Sequence, residues 1–282
     1  MAKYYVWLDA GHSKATAGKR NTVANPDFFE YEFNNDIAVK LKKRLEEHGI
    51  TVYLTNSTPN GADISLTKRA NIANDKWKAL GKPSNAIFVS LHGNASTGAW
   101  AKARGVEVYH AGNASAKSKE LALLLTNQIY NDVKAIDSGF KNRGRKSANF
   151  TVIYKALMKA VLIEHGFYDN KADLNLMQNH RNVFVEADCK AICKYFGITY
   201  KAPNTSKQEP VKTTPSNSFL VKIIYNGKEG LNIRAEANLT SKVVGQVYKG
   251  QVFTIVEVKN GWGRLKSNLG WISLNSKYVK KI

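Results

Sequence analysis

Short apolar runs alternate with helix-like spacings along the first two hundred residues. The runs lie at Tyr4–Leu8, Ile50–Leu54, Ala86–Leu91 and Ala160–Ile163. Between them, apolar residues recur at helical spacing from Leu66 to Trp77, and again at Ile37, Leu41 and Leu45. Strands that alternate with helices are typical of a mostly parallel sheet with helices on both faces. The pattern therefore predicts an α/β fold for this part of the chain.

The pattern changes after residue 200. The segment Lys201–Ser218 contains three prolines, many Ser, Thr and Lys residues and almost no apolar ones, which predicts a linker. Short strands separated by Gly and Asn turns follow, at Leu231–Arg234, Val252–Val258, Gly263–Leu265 and Gly270–Ile272. We therefore expect a first domain over residues 1–200, a linker over 201–218 and a small antiparallel barrel over 219–282.

The charge of the chain predicts a polyanionic partner. Lys and Arg number 42 against 22 Asp and Glu, a net charge of +20. Nucleic acid is one such partner, and the anionic polymers of a Gram-positive cell wall, such as teichoic acids, are another. The density of positive charge is highest in residues 219–282, with eleven basic and three acidic residues. Because we find no basic helix and no aromatic stacking motif, the sequence argues against nucleic acid.

Neither a membrane helix nor a secretion signal is expected. No apolar stretch approaches the roughly 18 residues that a membrane helix needs, since Lys159 interrupts the best candidate, Ala156–Ile163. The start of the chain lacks a signal-peptide pattern, because Tyr4–Leu8 leads directly to Asp9. The sequence therefore predicts a protein that is made in the cytoplasm and does not insert into membranes.

Two histidines follow predicted strands of the first domain. His12 stands in LDAGHS and His92 in VSLHGN. Ligands of open α/β sheets bind at the carboxyl ends of the strands, so these two imidazoles are expected to converge there, and imidazole is a common zinc ligand. A carboxylate is wanted as a third ligand. Glu30 and Glu32 are both candidates, just before a predicted helix for which Asn34 is the expected cap, and spacing alone does not separate them.

A further carboxylate, Glu164, ends an apolar run in AVLIEHGFYDN. Burying a charge there is costly unless a metal, a substrate or a buried arginine compensates for it. Beside a zinc site, a glutamate is suited to take a proton from the attacking water and hand it to the leaving amine. Glu164 is therefore the predicted general base.

Several motifs together carry a family resemblance. In chain order they are LDAGHS, the E-x-x-x-N of Glu30–Asn34, ISLTKRANIAN, VSLHGNAS, FKNRG and LIEHGFYDN. They resemble the zinc-dependent N-acetylmuramoyl-L-alanine amidases, over about residues 3–197. The resemblance implies zinc ligands at His12, Glu30 and His92 and the catalytic acid/base at Glu164; the E-x-x-x-N position selects Glu30 over Glu32. Ser13 and Gly93 stand where that family more often has glycine and alanine.

Residues 219–282 resemble a bacterial SH3-like domain through LNIR, KGQ, NGW and GWI. The resemblance implies binding of wall peptide or polymer in a groove lined with aromatic residues. Tyr225, Tyr248, Trp262 and Tyr278 are the predicted contributors. Trp271 is expected to pack inside the barrel instead, because so small a domain has few other large residues to fill its core.

The other histidines and the two cysteines are interpreted as structural. His165 is expected to point away from Glu164 by strand alternation, and structural or surface roles are likewise expected for His48, His110 and His180. Cys189 and Cys193, four residues apart on a predicted helix, lack the partners that a structural zinc site would need and are read as reduced core thiols.

The combination of an amidase domain, a wall-binding module and no export signal resembles a phage endolysin. Such a protein stays in the host cytoplasm until lysis and then acts on peptidoglycan. Three alternatives stay open at this point: a binding protein that has lost catalysis, a nucleic-acid-binding protein, and a zinc endopeptidase that cuts within the wall peptides.

Overall fold

The computed structural model describes residues 3–24, 27–56, 61–97, 100–203, 218–227, 229–266 and 269–282. The chain forms two compact units, Met1–Pro203 and Asn204–Ile282. Each unit is described by itself. Residues 204–217, most of the predicted linker, lie outside the described residues.

The first unit alternates strands and helices. In chain order they are β1 (Tyr4–Ala10), β2 (Arg20–Asn21), β3 (Phe28–Phe29), α1 (Glu30–Glu46), β4 (Ile50–Leu54), α2 (Leu66–Ala79), β5 (Ala86–Asn94), β6 (Val106–His110), α3 (Ala116–Lys134), β7 (Asn142–Ser147), α4 (Thr151–Tyr154), β8 (Lys159–Phe167), α5 (Lys171–Asn179) and α6 (Arg181–Phe196). Six strands form one sheet in the order β4-β1-β5-β8-β6-β7. All neighbours in it run parallel except β6 and β8, which are antiparallel.

Both faces of this sheet are covered by helices. On one face, α1, α3 and α6 pack against alternate strand residues such as Val6, Val89 and Val161. On the other, α2 and α4 pack against the intervening residues, among them Trp7 and Phe88. Strands buried on both sides explain the continuous apolar runs in the sequence. The predicted α/β fold with helices on both faces is confirmed.

The end of the first unit is held by side chains of α1 and α6. The Tyr200 ring stacks on the His48 imidazole at 5.5 Å, and its hydroxyl donates to Glu186 at 2.6 Å. Arg44 donates to the same carboxylate at 2.7 Å and to the carbonyl of Lys201 at 2.6 Å. The chain therefore leaves the first unit at a fixed point.

His48 also lies beside the two cysteines, a neighbour that the sequence did not predict. Its Nδ1 is 3.7 Å from Sγ of Cys189, and the ligand atoms of His48, Cys189 and Cys193 lie within 4.8 Å of one another. However, Nδ1 already bonds the carbonyl of Arg44 at 2.7 Å, and Nε2 accepts from the amide of Lys201 at 2.8 Å. Because both ring nitrogens are engaged, His48 helps to hold residues 200 and 201, which end the first unit, in place. Cys189 and Cys193 are free, buried thiols.

The second unit is all β. Its strands are β9 (Phe219–Ile223), β10 (Leu231–Arg234), β11 (Val243–Val247), β12 (Val252–Lys259), β13 (Trp262–Leu265), β14 (Trp271–Ser273) and β15 (Val279–Lys281). They form an antiparallel sheet in the order β11-β10-β14-β13-β12-β9-β15. The predicted small all-β architecture is confirmed. Aliphatic side chains such as Val221, Ile255 and Ile272 fill its core.

The expectation that Trp271 fills this core is wrong. In β14 only Ile272 is buried, and Trp271 lies partly exposed on the outer side of the strand. The interior has no room for an indole: even a single methyl group at Gly263 would come within 2.9 Å of Ile255 and Leu274. Strand alternation therefore sends Trp271 outward.

In the part of the chain that the structure describes, no helix has the length and apolar character to cross a membrane.

Candidate active site

The predicted site residues converge at one edge of the first sheet. Strands β1 and β5 are parallel neighbours, and the carboxyl end of β1 brings His12 next to His92 of β5. His12 has a positive φ of 64°, a left-handed conformation that costs a non-glycine residue energy and recurs at active sites. The Asn56 amide donates to the carbonyl of His12 at 2.9 Å and supports this turn.

His12, Glu30 and His92 meet around one carboxylate oxygen. Oε1 of Glu30 is 3.3 Å from Nε2 of His12 and 3.1 Å from Nδ1 of His92. The two imidazoles are edge to face at 4.9 Å, and one ligand atom from each of the three residues lies within 4.8 Å of the others. The carboxylate is buried, with a side-chain exposure of 2%. The structure thus brings the three predicted metal ligands together.

Helix α1 positions Glu30 and leaves Glu32 outside the site. The helix begins at Glu30, so both glutamates lie in its first turn, and Glu32 is exposed beside the Tyr31 hydroxyl. The prediction that Asn34 caps this helix is wrong, because Asn34 lies inside it. Its buried amide instead donates to the carbonyl of Gly11 at 3.0 Å and to Glu30 at 3.3 Å. Asn34 therefore ties the helix to the loop that carries His12.

The arrangement of these donors fits a metal ion. Two imidazole nitrogens and a carboxylate oxygen form the kind of ligand set that catalytic zinc takes from proteins. Burial works against ionisation of Glu30, but hydrogen bonds and charge interactions with His12 and His92 outweigh it and hold the pKa of Glu30 below its ordinary value. A buried carboxylate that stays ionised needs favourable partners, which the two imidazoles supply here and which a bound cation would also supply. The assignment of these residues as metal ligands stays a prediction.

Glu164 lies on β8, the next strand in the sheet. It is the cross-strand neighbour of His92 on one side and of Glu107 on the other. Its Oε2 is buried and has no hydrogen-bond partner among the described residues, where Glu164 also makes no ion pair with an arginine. Desolvation raises the pKa of Glu164 well above its ordinary value, and the negative charges of Glu30 and Glu107 add to this effect. A carboxyl group with these properties is suited to proton transfer.

Glu107 is a buried member of this edge that sequence reasoning missed. Oε1 accepts from the Asn94 amide at 2.8 Å and from the Tyr109 hydroxyl at 2.7 Å. Oε2 accepts from Nε of Arg143 at 2.7 Å and from the ammonium group of Lys146. Burial alone raises the pKa of Glu107, but these hydrogen bonds outweigh it and keep the carboxyl ionised. In the sequence, the one sign of its role was an acidic residue between two apolar ones, Val106 and Val108.

His165 supports the site from the opposite face of β8. As predicted from strand alternation, it points away from Glu164, and it is fully buried beside Phe33 and Phe184. Nδ1 bonds the carbonyl of His92 at 3.1 Å, and Nε2 lies 2.9 Å from Oδ2 of Asp188. The pair therefore fixes the backbone of a predicted ligand from within the core.

Comparisons with known proteins agree with this geometry. The N-acetylmuramoyl-L-alanine amidase family model matches residues 6–194. The chain belongs to the N-acetylmuramoyl-L-alanine amidase family. The family inferred from the motifs is thereby confirmed, whereas zinc as the metal stays a prediction.

Similar proteins include phage, bacterial and structurally characterised amidases. An endolysin of Bacillus phage SPP1 is 29% identical over 97% of both chains. The amidase CwlM of Bacillus licheniformis is 29% identical, over 62% of this chain and 60% of that protein. The crystal structure of an N-acetylmuramoyl-L-alanine amidase from Clostridium difficile 630 aligns with a TM-score of 0.60 and 28% identity, over 70% of this chain and 98% of that chain.

The second unit of this amidase matches the bacterial SH3 domain model over residues 229–280. Of the aromatic residues predicted to bind the wall, Tyr225 and Tyr278 meet edge to face at 5.3 Å and pack partly buried against the core. Tyr248 is 43% exposed, and Trp262 lies partly exposed on the outer side of β13. Their role in wall binding stays a prediction.

Proposed function

We propose that the protein hydrolyses the amide bond between N-acetylmuramic acid and L-alanine in peptidoglycan, with zinc held by His12, Glu30 and His92. The observation that carries this proposal is the convergence of these three side chains beside Glu164 in a chain of the amidase family. None of the four residues that the resemblance requires is missing, which argues against a protein that only binds the wall.

The residues have separate roles in the proposed reaction. Zinc in this site would supply a Lewis acid that polarises the scissile carbonyl and acidifies water. Glu164 takes the proton of the attacking water on a carboxylate oxygen and returns it to the departing amine of L-alanine. His165 and Asp188 keep the backbone of His92 in place during the reaction.

Product analysis tests the bond that is cut. Mass spectrometry of digested walls should find free lactyl groups on muramic acid and new amino-terminal alanines. Amino termini within the stem peptide or the cross-bridge would instead identify an endopeptidase. Chelation should abolish activity, and His92→Ala should lose both bound metal and activity, because removal of one of three protein ligands weakens the site. Full activity of a metal-free sample would exclude the zinc site.

We further propose that the second unit binds the wall of a Gram-positive host and that the protein is a phage endolysin. Support comes from the SH3 match, the eleven basic residues against three acidic ones in 219–282, and the similarity to a phage endolysin along almost the whole chain. Anionic wall polymers would add attraction that weakens with salt, since exposed charges are screened over about 10 Å at 0.1 M.

Domain separation tests this division of labour. A chain that ends at Pro203 should hydrolyse soluble muropeptides at nearly the full rate but clear whole walls more slowly, because it loses the local concentration that tethering provides. Residues 218–282 alone should sediment with susceptible walls without cutting them. Failure to sediment with any such wall would contradict the targeting role.

A further inference from the structure

Arg143 reaches the catalytic edge through an irregularity in the sheet. The register of β6 against β7 shifts between Val106 and Val108, so Arg143 and Gly144 share the place opposite Glu107. Gly144 has a φ of 82°, which glycine adopts readily, and its amide donates to the Asn142 side chain at 2.9 Å. Bulges of this kind redirect side chains near active sites. Here the bulge turns Arg143 toward Glu107.

The guanidinium group of Arg143 is held along one side only. Nε donates to Glu107, and Cζ lies 4.8 Å from the ring centroid of Phe167, three residues beyond Glu164 on β8. Its side chain is 34% exposed. Within the described parts of the chain, Nη1 and Nη2 donate no hydrogen bond, so four N–H groups of a fixed fork remain available. A guanidinium in this state is pre-organised to bind a planar anion.

The charge around this fork also favours an anion. Glu107 faces two cations, Arg143 and Lys146, which leaves the group of three with a net charge of +1. All four hydrogen bonds to the Glu107 carboxylate are made by protein groups, and it is only 3% exposed. Glu107 therefore holds the Arg143 guanidinium in place, and its carboxylate is too enclosed to bind a ligand itself.

We propose that Arg143 forms a subsite for a carboxylate of the substrate peptide, beside the catalytic Glu164. The inference rests on the proposed amidase function. On the glycan side of the scissile bond, the lactyl carboxyl of muramic acid is itself the acyl part of the amide and carries no charge. Free carboxylates belong to the peptide side. A cationic fork that rests on Glu107, the cross-strand neighbour of Glu164, therefore orients the peptide, and Arg143 selects substrates that have an ionised carboxylate near the first alanine.

Matched substrates test the subsite. Two muramoyl peptides are compared that differ only in the second residue, which bears a free α-carboxylate or the corresponding carboxamide. The zinc-loaded protein should prefer the carboxylate form by about 10- to 100-fold in kcat/KM, the range expected for hydrogen bonds to a charged group. Arg143→Met should remove this preference by slowing only the carboxylate substrate. Arg143→Lys should restore part of it, since lysine keeps the charge but not the fork.

Arg145 provides the control on the same strand. It faces α3, where it donates to the carbonyl of Lys119 at 3.2 Å, so Arg145→Met removes an equal charge without touching Glu107. This variant should keep the preference. Equal losses on both substrates in Arg143→Met would show that Arg143 only holds Glu107 in place, and the subsite would be wrong. Absence of any preference in the unmodified protein would also overturn it.

Binding measurements separate the subsite from the proposed reaction. Calorimetry of the two peptides with the Glu164→Gln protein should show the same carboxylate preference in Kd, and the further substitution Arg143→Met should remove that preference. If the protein hydrolysed neither substrate but kept this Arg143-dependent preference, the amidase proposal would fail and the subsite would stand. If the protein hydrolysed both substrates but bound them without a preference, the subsite would fail and the amidase proposal would stand.

Discussion

Substitution by alanine should have different effects on zinc affinity at two glycines of the site, Gly11 and Gly93. A Cβ added at Gly11 would lie 2.1 Å from Cε1 of His92 and 2.5 Å from its Nδ1. Ordinary contact begins at 3.4 Å, so the imidazole would have to move by about 1.3 Å. Metal–ligand distances tolerate only about ±0.2 Å. Gly11→Ala should therefore displace His92 from the ligand set and lower zinc affinity by at least about 10- to 100-fold, as losses of supporting contacts do.

Gly93→Ala is the matched control. The nearest atom to its added Cβ is Cε of Met177 at 2.5 Å, the free end of a flexible side chain, and the next is 3.5 Å away. Because methionine adapts to small changes, this variant should bind zinc like the unmodified protein. Competition with a chromogenic chelator measures zinc affinity, and circular dichroism checks the fold. Normal zinc binding by Gly11→Ala, or an equal loss in both variants, would refute the packing argument.

Substitutions at three further residues test the proton-transfer group and the buried carboxylates that support the site. Glu164→Gln should keep its zinc and fold, while turnover of muropeptides falls by about 10² to 10⁴; lost metal would mean that Glu164 is a ligand. Asp188→Ala should lower the free energy of unfolding in urea by about 1–3 kcal/mol, because it leaves His165 without its buried partner. Asp188→Asn should lower it less, because an amide can replace the hydrogen bond. Equal losses in the two variants would contradict this role of Asp188. Since hydrogen bonds lower the pKa of Glu107 in the folded state, its stabilising effect should be present above about pH 4.5 and disappear as the pH falls through the lower folded value. Glu107→Gln should thus approach the unmodified protein in stability on acidification, whereas a difference that is constant with pH would contradict the ion pairs.

Local patterns predicted the elements that carry the chemistry. Apolar runs followed by His12 and His92 indicated strand ends, and parallel strands must present those ends at one edge of the sheet. The helix over Leu66–Ala79 follows equally from its spacing. The choice of Glu30 over Glu32, in contrast, came from the family motif. The structure gives the physical reason: of these two residues in the first turn of α1, Glu30 is buried and Glu32 is exposed.

The parts that sequence reasoning missed depend on contacts between distant segments. Strand β6 is antiparallel to β8, and this reversal brings Glu107 beside Glu164 although 57 positions separate them in the sequence. Three of the four partners of Glu107 come from two further strands, β5 and β7, and Arg143 is turned toward it by a bulge that no local sequence pattern predicts. Trp271 was misplaced for a related reason, because the volume of the core depends on glycines such as Gly263 whose facing neighbours are set by strand pairing.

The contacts that hold Tyr200 and Lys201 at the end of the first unit affect where one wall-binding module can be exchanged for another. Arg44 and Glu186 hold Tyr200 and the carbonyl of Lys201 with side chains of that unit alone. A chimeric lysin joined at Pro203 keeps all of these contacts, whatever module follows. A junction placed before Tyr200 would instead remove the Lys201 carbonyl from Arg44 and the Tyr200 hydroxyl from Glu186, and would leave only the ion pair between these two side chains. Recombination between lysins should therefore tolerate breakpoints after this anchor far better than breakpoints within it.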